Sequence, residues 1–261
     1  MNDGDKISII IPAHNEEKRI GKTLDYYIRY FSGLKKIGEL NFEIIVVLNN
    51  CKDNTSEIVW ERKREELKIL EFEQGGKGFA IMEGFKEALK GDSDFIGFVD
   101  ADMATPPNAF HGLIRNIKNS DGVIANRWDK RSKIKPKQTL IRKITSSGYN
   151  YVIRSFFLFP FRDTQCGAKV FRKDIIKKNL HKIVSSQWNF DVALLFCLSK
   201  ESHAKIKSIP TEWSDQVGSK INLRSTPIRM FLSAIRLRVM HSPFRDLIRI
   251  YRKLPESLKI H

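Results

Sequence analysis

Asp100 and Asp102 are separated by one alanine directly after the apolar run Phe95 to Val99, so both carboxylates can reach past the end of a strand. Two carboxylates this close repel unless a cation neutralises them. A divalent ion that favours hard oxygen ligands, Mg2+ or Mn2+, is the natural partner, and it usually completes its shell with water and substrate phosphates. Bridging a diphosphate, it would act as a Lewis acid for a departing nucleotide. The same residues also read as a polar turn before a helix, with Thr105 as the N-cap and Pro106 as the first helical residue. Gly75-Gly76-Lys77-Gly78 precedes another helical segment, where backbone N–H groups and Lys77 could face a phosphate or simply form a flexible turn. Its spacing is not that of a Walker loop, which argues against a nucleoside triphosphatase.

The elements that must hold these residues follow from hydropathy. Ile7 to Ile11 and Phe42 to Leu48 are short β-branched runs, as expected of strands buried on both faces of a parallel sheet. Between them Ile20, Leu24, Tyr27, Ile28 and Phe31 recur at helical spacing, preceded by Glu16 and Glu17 where a helix N-terminus favours acids. A second helix near Asp53 or Thr55, a strand at Ile69 to Phe72, a helix over Gly78 to Leu89 and a strand at Phe95 to Val99 continue the alternation to about Asn119. This pattern predicts a mostly parallel, doubly wound α/β sheet, in which ligands bind at the carboxyl ends of strands. Three polar clusters fall there: Pro12 to Glu16, Asn49 to Asp53, and Asp100 to Asp102. Further on, Gly122 to Ala125 reads as a strand, Lys130 to Lys137 as a basic loop and Leu140 to Phe157 as a helix. Ile228, Phe231, Leu232, Ile235 and Val239, then Phe244, Leu247, Ile248, Tyr251 and Leu254, line the apolar faces of two C-terminal helices. The sequence thus divides into a catalytic domain over 1–223 and a basic amphipathic segment over 224–261.

The chain has 261 residues and a net charge of +16, which favours anionic partners. Most of the excess lies in two stretches, Arg127 to Lys143 and Arg224 to His261, each with a surplus of seven positive charges. No basic-aromatic interleaving or recognised nucleic-acid module accompanies them, so no nucleic-acid partner is expected. Cys51, Cys166 and Cys197 are odd in number and widely spaced, which fits a reducing cytoplasm better than a disulfide framework or a zinc site. No signal peptide or membrane-spanning run is expected. Paired with anionic lipid, the arginine-rich C-terminal segment would lie on the membrane surface, giving a peripheral protein on its cytoplasmic face.

The ordered set Ile9 to Glu16, Gly76-Lys77-Gly78, Asp100-Ala101-Asp102, Asp163 to Lys169, Trp188 to Asp191 and Gly218-Ser219-Lys220 resembles the inverting family 2 glycosyltransferases of the GT-A fold. Within these it is most similar to the dolichyl-phosphate glucose synthases, and also to the mannose synthases. The resemblance implies transfer of a sugar, glucose from UDP-glucose, to dolichyl or polyprenyl phosphate, as in lipid-linked sugar donor synthesis for protein glycosylation. It implies that Pro12, Ala13, Asn15 and Glu16 line a nucleotide pocket with Lys77 nearby, that Asp102 is the chief metal ligand, and that Asp100 faces the ribose or diphosphate. Two positions depart from the pattern. Asn49 stands where an aspartate commonly reads the base, within Leu48-Asn49-Asn50-Cys51 instead of the usual Asp-Asp-Gly-Ser, and Ala104 stands where the mannose synthases place a metal-binding glutamine.

A lipid phosphate monoester has a second pKa near ~6 and needs no strong general base at neutral pH. Cations must position it, and Arg127, Arg131, Lys169, Arg172 and Lys220 are the candidates. A hydroxyl acceptor on a soluble molecule or polysaccharide is the alternative, and it would need Asp191 as a base. With a phosphate acceptor Asp191 orients acceptor and cations. In-line attack would turn an α-linked donor into a β-linked product.

Overall fold

The computed structural model describes residues 4–135, 140–183 and 190–214, together with positions 235 and 238. Its first half alternates as expected: β1 (Lys6–Ala13), α1 (Ile20–Lys36), β2 (Asn41–Asn49), α2 (Thr55–Trp60), β3 (Leu67–Phe72), α3 (Lys77–Lys90), β4 (Phe95–Phe98), α4 (Pro107–Arg115) and β5 (Gly122–Asn126). Then follow β6 (Lys133–Lys135), α5 (Leu140–Phe157), β7 (Lys169–Arg172), α6 (Lys173–Asn179), α7 (Phe190–Phe196), β8 (Ile206–Pro210) and β9 (Glu212–Ser214). Seven strands form one sheet in the order β3-β2-β1-β4-β7-β5-β8.

Alternation along the strands builds a core on each face. Ile7, Ile9 and Ile11 of β1, with Ile44 and Val46 of β2, meet Leu24, Tyr27 and Phe31 of α1 and Phe110 of α4. On the other face Ile10, Ile45, Val47 and Phe98 meet Ile81 and Phe85 of α3 and Val192 and Leu195 of α7. Each large apolar side chain so buried contributes about 1.5–3 kcal/mol, enough to fix the strand ends that carry the polar clusters.

The sheet is mostly parallel, as expected, and β7 runs antiparallel between β4 and β5. Three features differ from the expectations. Lys133–Lys135 within the expected basic loop pairs in parallel with Glu212–Ser214. The helix after the Asp-Ala-Asp turn starts one residue late, with Pro106 as its N-cap at ψ 159° and Pro107 as its first residue. Thr105 is instead buried, its carbonyl accepting the Tyr27 hydroxyl at 2.8 Å. Lastly, α1 begins at Ile20, and Glu16 precedes it with a carbonyl that accepts the N–H groups of Arg19 and Ile20. The 223/224 boundary, Lys220 and the C-terminal helices lie outside the described residues, apart from positions 235 and 238.

Candidate active site

β1, β2 and β4 are parallel neighbours, so their carboxyl ends open on one edge of the sheet. Each leads into a turn with a non-glycine residue in the left-handed region: Asn15 at φ 54°, Asn50 at 53° and Met103 at 63°. Asn tolerates this backbone, whereas at Met103 it is strained and must be held by its surroundings.

In the nucleotide-loop candidate, Pro12 and Ala13 are buried at the end of β1, while Asn15 and Glu16 are half-exposed. Asn15 Oδ1 accepts Lys52 N–H at 2.7 Å, Glu16 N–H donates to Thr55 Oγ1 at 2.7 Å, and Arg19 grips the Glu16 carboxylate through Nε and Nη2 at 2.6 and 2.7 Å. The turns after β1 and β2 are therefore one unit. Asn49 is 2% exposed at the end of β2. Its side-chain N–H donates to Ala13 O at 2.6 Å and its oxygen accepts Gly76 N–H at 3.0 Å. Gly76 has φ 125°, a backbone open to glycine, and caps α3. Asn49 thus ties β1 to the Gly76-Lys77 turn, and only a side chain that both donates and accepts can do so. Asn49→Asp, although it restores the usual family residue, is expected to lose about 1–3 kcal/mol because a carboxylate cannot donate to Ala13 O. Thermal unfolding checks this, and an unchanged or raised midpoint would refute the bridge.

Asp100, two residues beyond β4, receives Lys77 Nζ at 2.5 Å. A Cβ on Gly167 would fall 1.9 Å from Asp100 Oδ2, so this carboxylate fills the space that a side chain at position 167 would take. Burial alone would raise the Asp100 pKa, but Lys77, backed by Lys169 and Arg127, holds it below the ordinary value. Burial opposes the charge on Lys77, yet Asp100, Asp191 and Asp102 raise its pKa above the usual lysine value. Asp102 is pushed up, first by burial and then by Asp100, although its Oδ1 accepts Ala104 N–H at 2.9 Å. Among the described residues no cation lies within ion-pair distance of it. Among those residues there is also no cluster of three or more His, Cys, Asp or Glu able to hold a metal. The carboxylates suit a hard divalent ion held at one or two protein oxygens, with water and substrate phosphate supplying the rest.

The expected acceptor cations separate. Arg127, just after β5, gives Nε and Nη2 to Asp163 at 2.8 and 3.0 Å, and its side chain is 18% exposed. Lys169 is fully buried, with Nζ 2.5 Å from both Asp191 Oδ1 and Cys166 O. Direct contact between Lys169 and an acceptor is therefore corrected to a hold on Asp191, at the start of α7. Arg172 is also corrected: antiparallel pairing puts Lys169 opposite Phe98 at the site end and Arg172 opposite Phe95 at the far end. There Arg172 donates to the carbonyls of Ser120 and Lys118. Arg131 is exposed and paired with Asp129 at 3.0 Å. Sequence reasoning gave no role to Asp163 or Gly167, although both lie in the 163–169 motif it singled out. Asp163 is fully buried and accepts from Arg127 and from the backbone N–H groups of Gln165 and Cys166.

A family model described as "Glycosyl transferase family 2" matches residues 8–180. A dolichyl-phosphate beta-glucosyltransferase of Trichomonas vaginalis is 33% identical over 246 residues, covering 90% of this chain and 73% of that protein. One from Dictyostelium discoideum is 27% identical over 258 residues, covering 94% and 76%. Among solved structures, glucosyl-3-phosphoglycerate synthase from Mycobacterium tuberculosis in complex with Mn2+, uridine-diphosphate and glucosyl-3-phosphoglycerate superposes with a TM-score of 0.63 at 15% identity, covering 90% of this chain and 79% of that one. At that identity the likeness speaks to the fold.

Proposed function

The chain belongs to glycosyl transferase family 2, and from that premise we propose that it transfers glucose from UDP-glucose to dolichyl or a related polyprenyl phosphate, using Mg2+ or Mn2+ at Asp102. One observation carries the reading: the nucleotide-loop candidate, the Asp-Ala-Asp turn and the 163–169 loop converge at one edge of the sheet, in a chain one-third identical to a dolichyl-phosphate beta-glucosyltransferase. The Mn2+ and uridine-diphosphate named for the mycobacterial synthase support the cofactor and donor by analogy of fold.

Pro12, Ala13, Asn15 and Glu16 would border the nucleoside, with Asn49 fixing this loop against the Gly76 turn instead of reading the base. Lys77 and Asp100 would orient the ribose and diphosphate. When bound at Asp102, the metal supplies positive charge to the departing diphosphate. Arg127, held by Asp163 through Nε and Nη2, would offer Nη1 to an acceptor oxygen, while Arg131 and Lys220 remain candidates at the rim. The acceptor phosphate oxygen attacks the anomeric carbon from the side opposite the diphosphate. The new carbon–oxygen bond forms as the bond to the β-phosphate oxygen breaks, and UDP leaves with the electron pair. The anomeric centre inverts, giving a β-linked product. Asp191, with one oxygen taken by the Lys169 ammonium, has fewer lone pairs for a hydroxyl proton. This favours the phosphate acceptor over a soluble or polysaccharide hydroxyl.

Peripheral attachment to the cytoplasmic face of a membrane is part of this proposal. No helix among the described residues is long and apolar enough to cross a membrane. Tyr151, Val152 and Leu158, on and just after α5, are exposed, and Lys130 to Arg162 holds nine basic and no acidic residues. Apolar exposure flanked by such charge suits an anionic lipid surface.

The test is transfer from radiolabelled UDP- and GDP-sugars to dolichyl phosphate, with Mg2+ or Mn2+ and with EDTA. Glucose label from UDP-glucose in the lipid phase, lost in EDTA, is the expected outcome. No lipid product from any donor, despite metal-dependent donor binding, would move the acceptor to a hydroxyl. An α-linked product by NMR would refute inversion.

A further inference from the structure

The Asp-Ala-Asp turn is pinned at four points within five residues. Thr23 Oγ1 is 2.8 Å from the Ala101 carbonyl, nearer than its second acceptor, Arg19 O, at 3.1 Å. Tyr27 Oη donates to the Thr105 carbonyl at 2.8 Å. Ala104 N–H donates to Asp102 Oδ1 at 2.9 Å, and the Ala104 carbonyl accepts Ser214 N–H from β9 at 2.7 Å. Between these points Met103 holds its strained φ of 63°.

Two of the four holds come from side chains of one helix, and both are fully buried. Thr23 and Tyr27 are four residues apart on α1, hence on the same face, and their acceptors bracket Asp102. Tyr27 also packs against Phe31 and Phe110, which fixes its ring. Burial first, then Asp100 and Asp102, push its pKa well above the ordinary tyrosine value, so the hydroxyl stays a donor. Three residues, Glu17, Lys18 and Arg19, separate Glu16, which carries the nucleotide-loop contacts, from Ile20, the first residue of this helix. The same helix therefore adjoins the nucleotide loop at its start and grips the diphosphate turn one turn later.

The structure assigns Thr23 and Tyr27 as positioning residues for Asp102: their hydroxyls hold the strained turn so that the carboxylate faces a divalent ion on a bound nucleoside diphosphate. Neither would touch substrate or metal. The assignment rests on the metal reading proposed above. A purely structural role would lower stability and leave ion affinity unchanged in the folded protein.

The experiment uses the full chain. Mn2+ binding is titrated by electron paramagnetic resonance with saturating UDP, UDP binding without metal is measured by calorimetry, and folding by circular dichroism. The Thr23→Val/Tyr27→Phe double variant is expected to bind Mn2+ about 10- to 100-fold more weakly, with metal-free UDP affinity within about twofold of wild type. Thr23→Ser, which keeps the hydroxyl, should bind Mn2+ like wild type. Unchanged Mn2+ affinity in the folded double variant overturns the assignment. If that variant does not fold, Tyr27→Phe alone decides: weaker Mn2+ binding supports the assignment and unchanged binding overturns it. Wild-type protein that binds UDP but no Mn2+ would overturn the metal reading and this assignment together, whereas a clamp failure alone leaves the wild-type Mn2+ titration intact.

Discussion

Gly167→Ala is expected to reduce sugar transfer by about 100-fold or more, the scale of loss from ångström-level misplacement of reacting groups, while the protein remains folded. The new methyl would lie 1.9 Å from Asp100 Oδ2 and 2.3 Å from its Cγ, well inside contact distance. The loop has little room to retreat. Cys166 N–H is held by Asp163 at 3.1 Å, the Ala168 carbonyl accepts Ala125 N–H at 3.1 Å, and Lys169 is registered against Phe98. Asp100 must therefore rotate away from Lys77, breaking the 2.5 Å pair and turning both groups from the place proposed for the diphosphate. Steady-state kinetics alongside circular dichroism check this. Activity within twofold of wild type would mean that the observed Asp100 position is not the working one.

Asp163→Ala is expected to have the largest effect on stability. It removes the acceptor for the backbone and side chain of Arg127 and for two further N–H groups, and strands a mostly buried guanidinium. Breaking one side of a buried pair costs about 3–5 kcal/mol, a fall in melting temperature on the order of 10 °C for a chain of this size. Replacing Arg127 as well, with methionine, should recover part of the loss because no unpaired charge remains. The pH dependence has a definite sign. Burial would raise the Asp163 pKa, but Arg127 and Lys169 bring it below the ordinary value. Its stabilisation is thus fully present above the unfolded pKa of about 3.9 and is lost as pH falls through the lower folded value. The gap between wild type and variant should hold near neutrality and narrow below about pH 4. A melting difference under ~2 °C at pH 7 would refute the role given to Asp163.

Much of the first half was legible in the sequence, because β-branched runs and helical spacing are local signals. Ile7 to Ile11, Phe42 to Leu48 and the α1 stripe fall where expected, and Leu140 to Phe157 matches α5 end to end. The strands that local pattern did not reveal are short: β6 and β9 have three residues each, β7 four and β8 five. Nothing within Lys169 to Arg172 states that it runs antiparallel between β4 and β5. That one fact separates Lys169 from Arg172, two cations equal in composition but at opposite ends of a strand. Likewise, the departure at Asn49 was visible, while its bridge from Ala13 to Gly76 depends on two turns distant in sequence. Gly167 had no side chain to attract notice, and its meaning appears only when Asp100 is placed beside it.

The insertion of β7 between β4 and β5 also orders events during synthesis. β1 to β4 with their helices make contacts within roughly the first hundred residues and can assemble as these emerge, since domains gather from the N-terminus and local contacts form early. Asp100 then waits: the glycine that cradles it and the lysine behind it arrive nearly seventy residues later. A ribosome-bound chain stopped before Asp163 should already protect the β1–β2 amides from exchange, while the edge of β4 that β7 will cover remains open. The nascent protein therefore carries an unpaired strand edge beside the carboxylates proposed for catalysis until this short, late strand closes it.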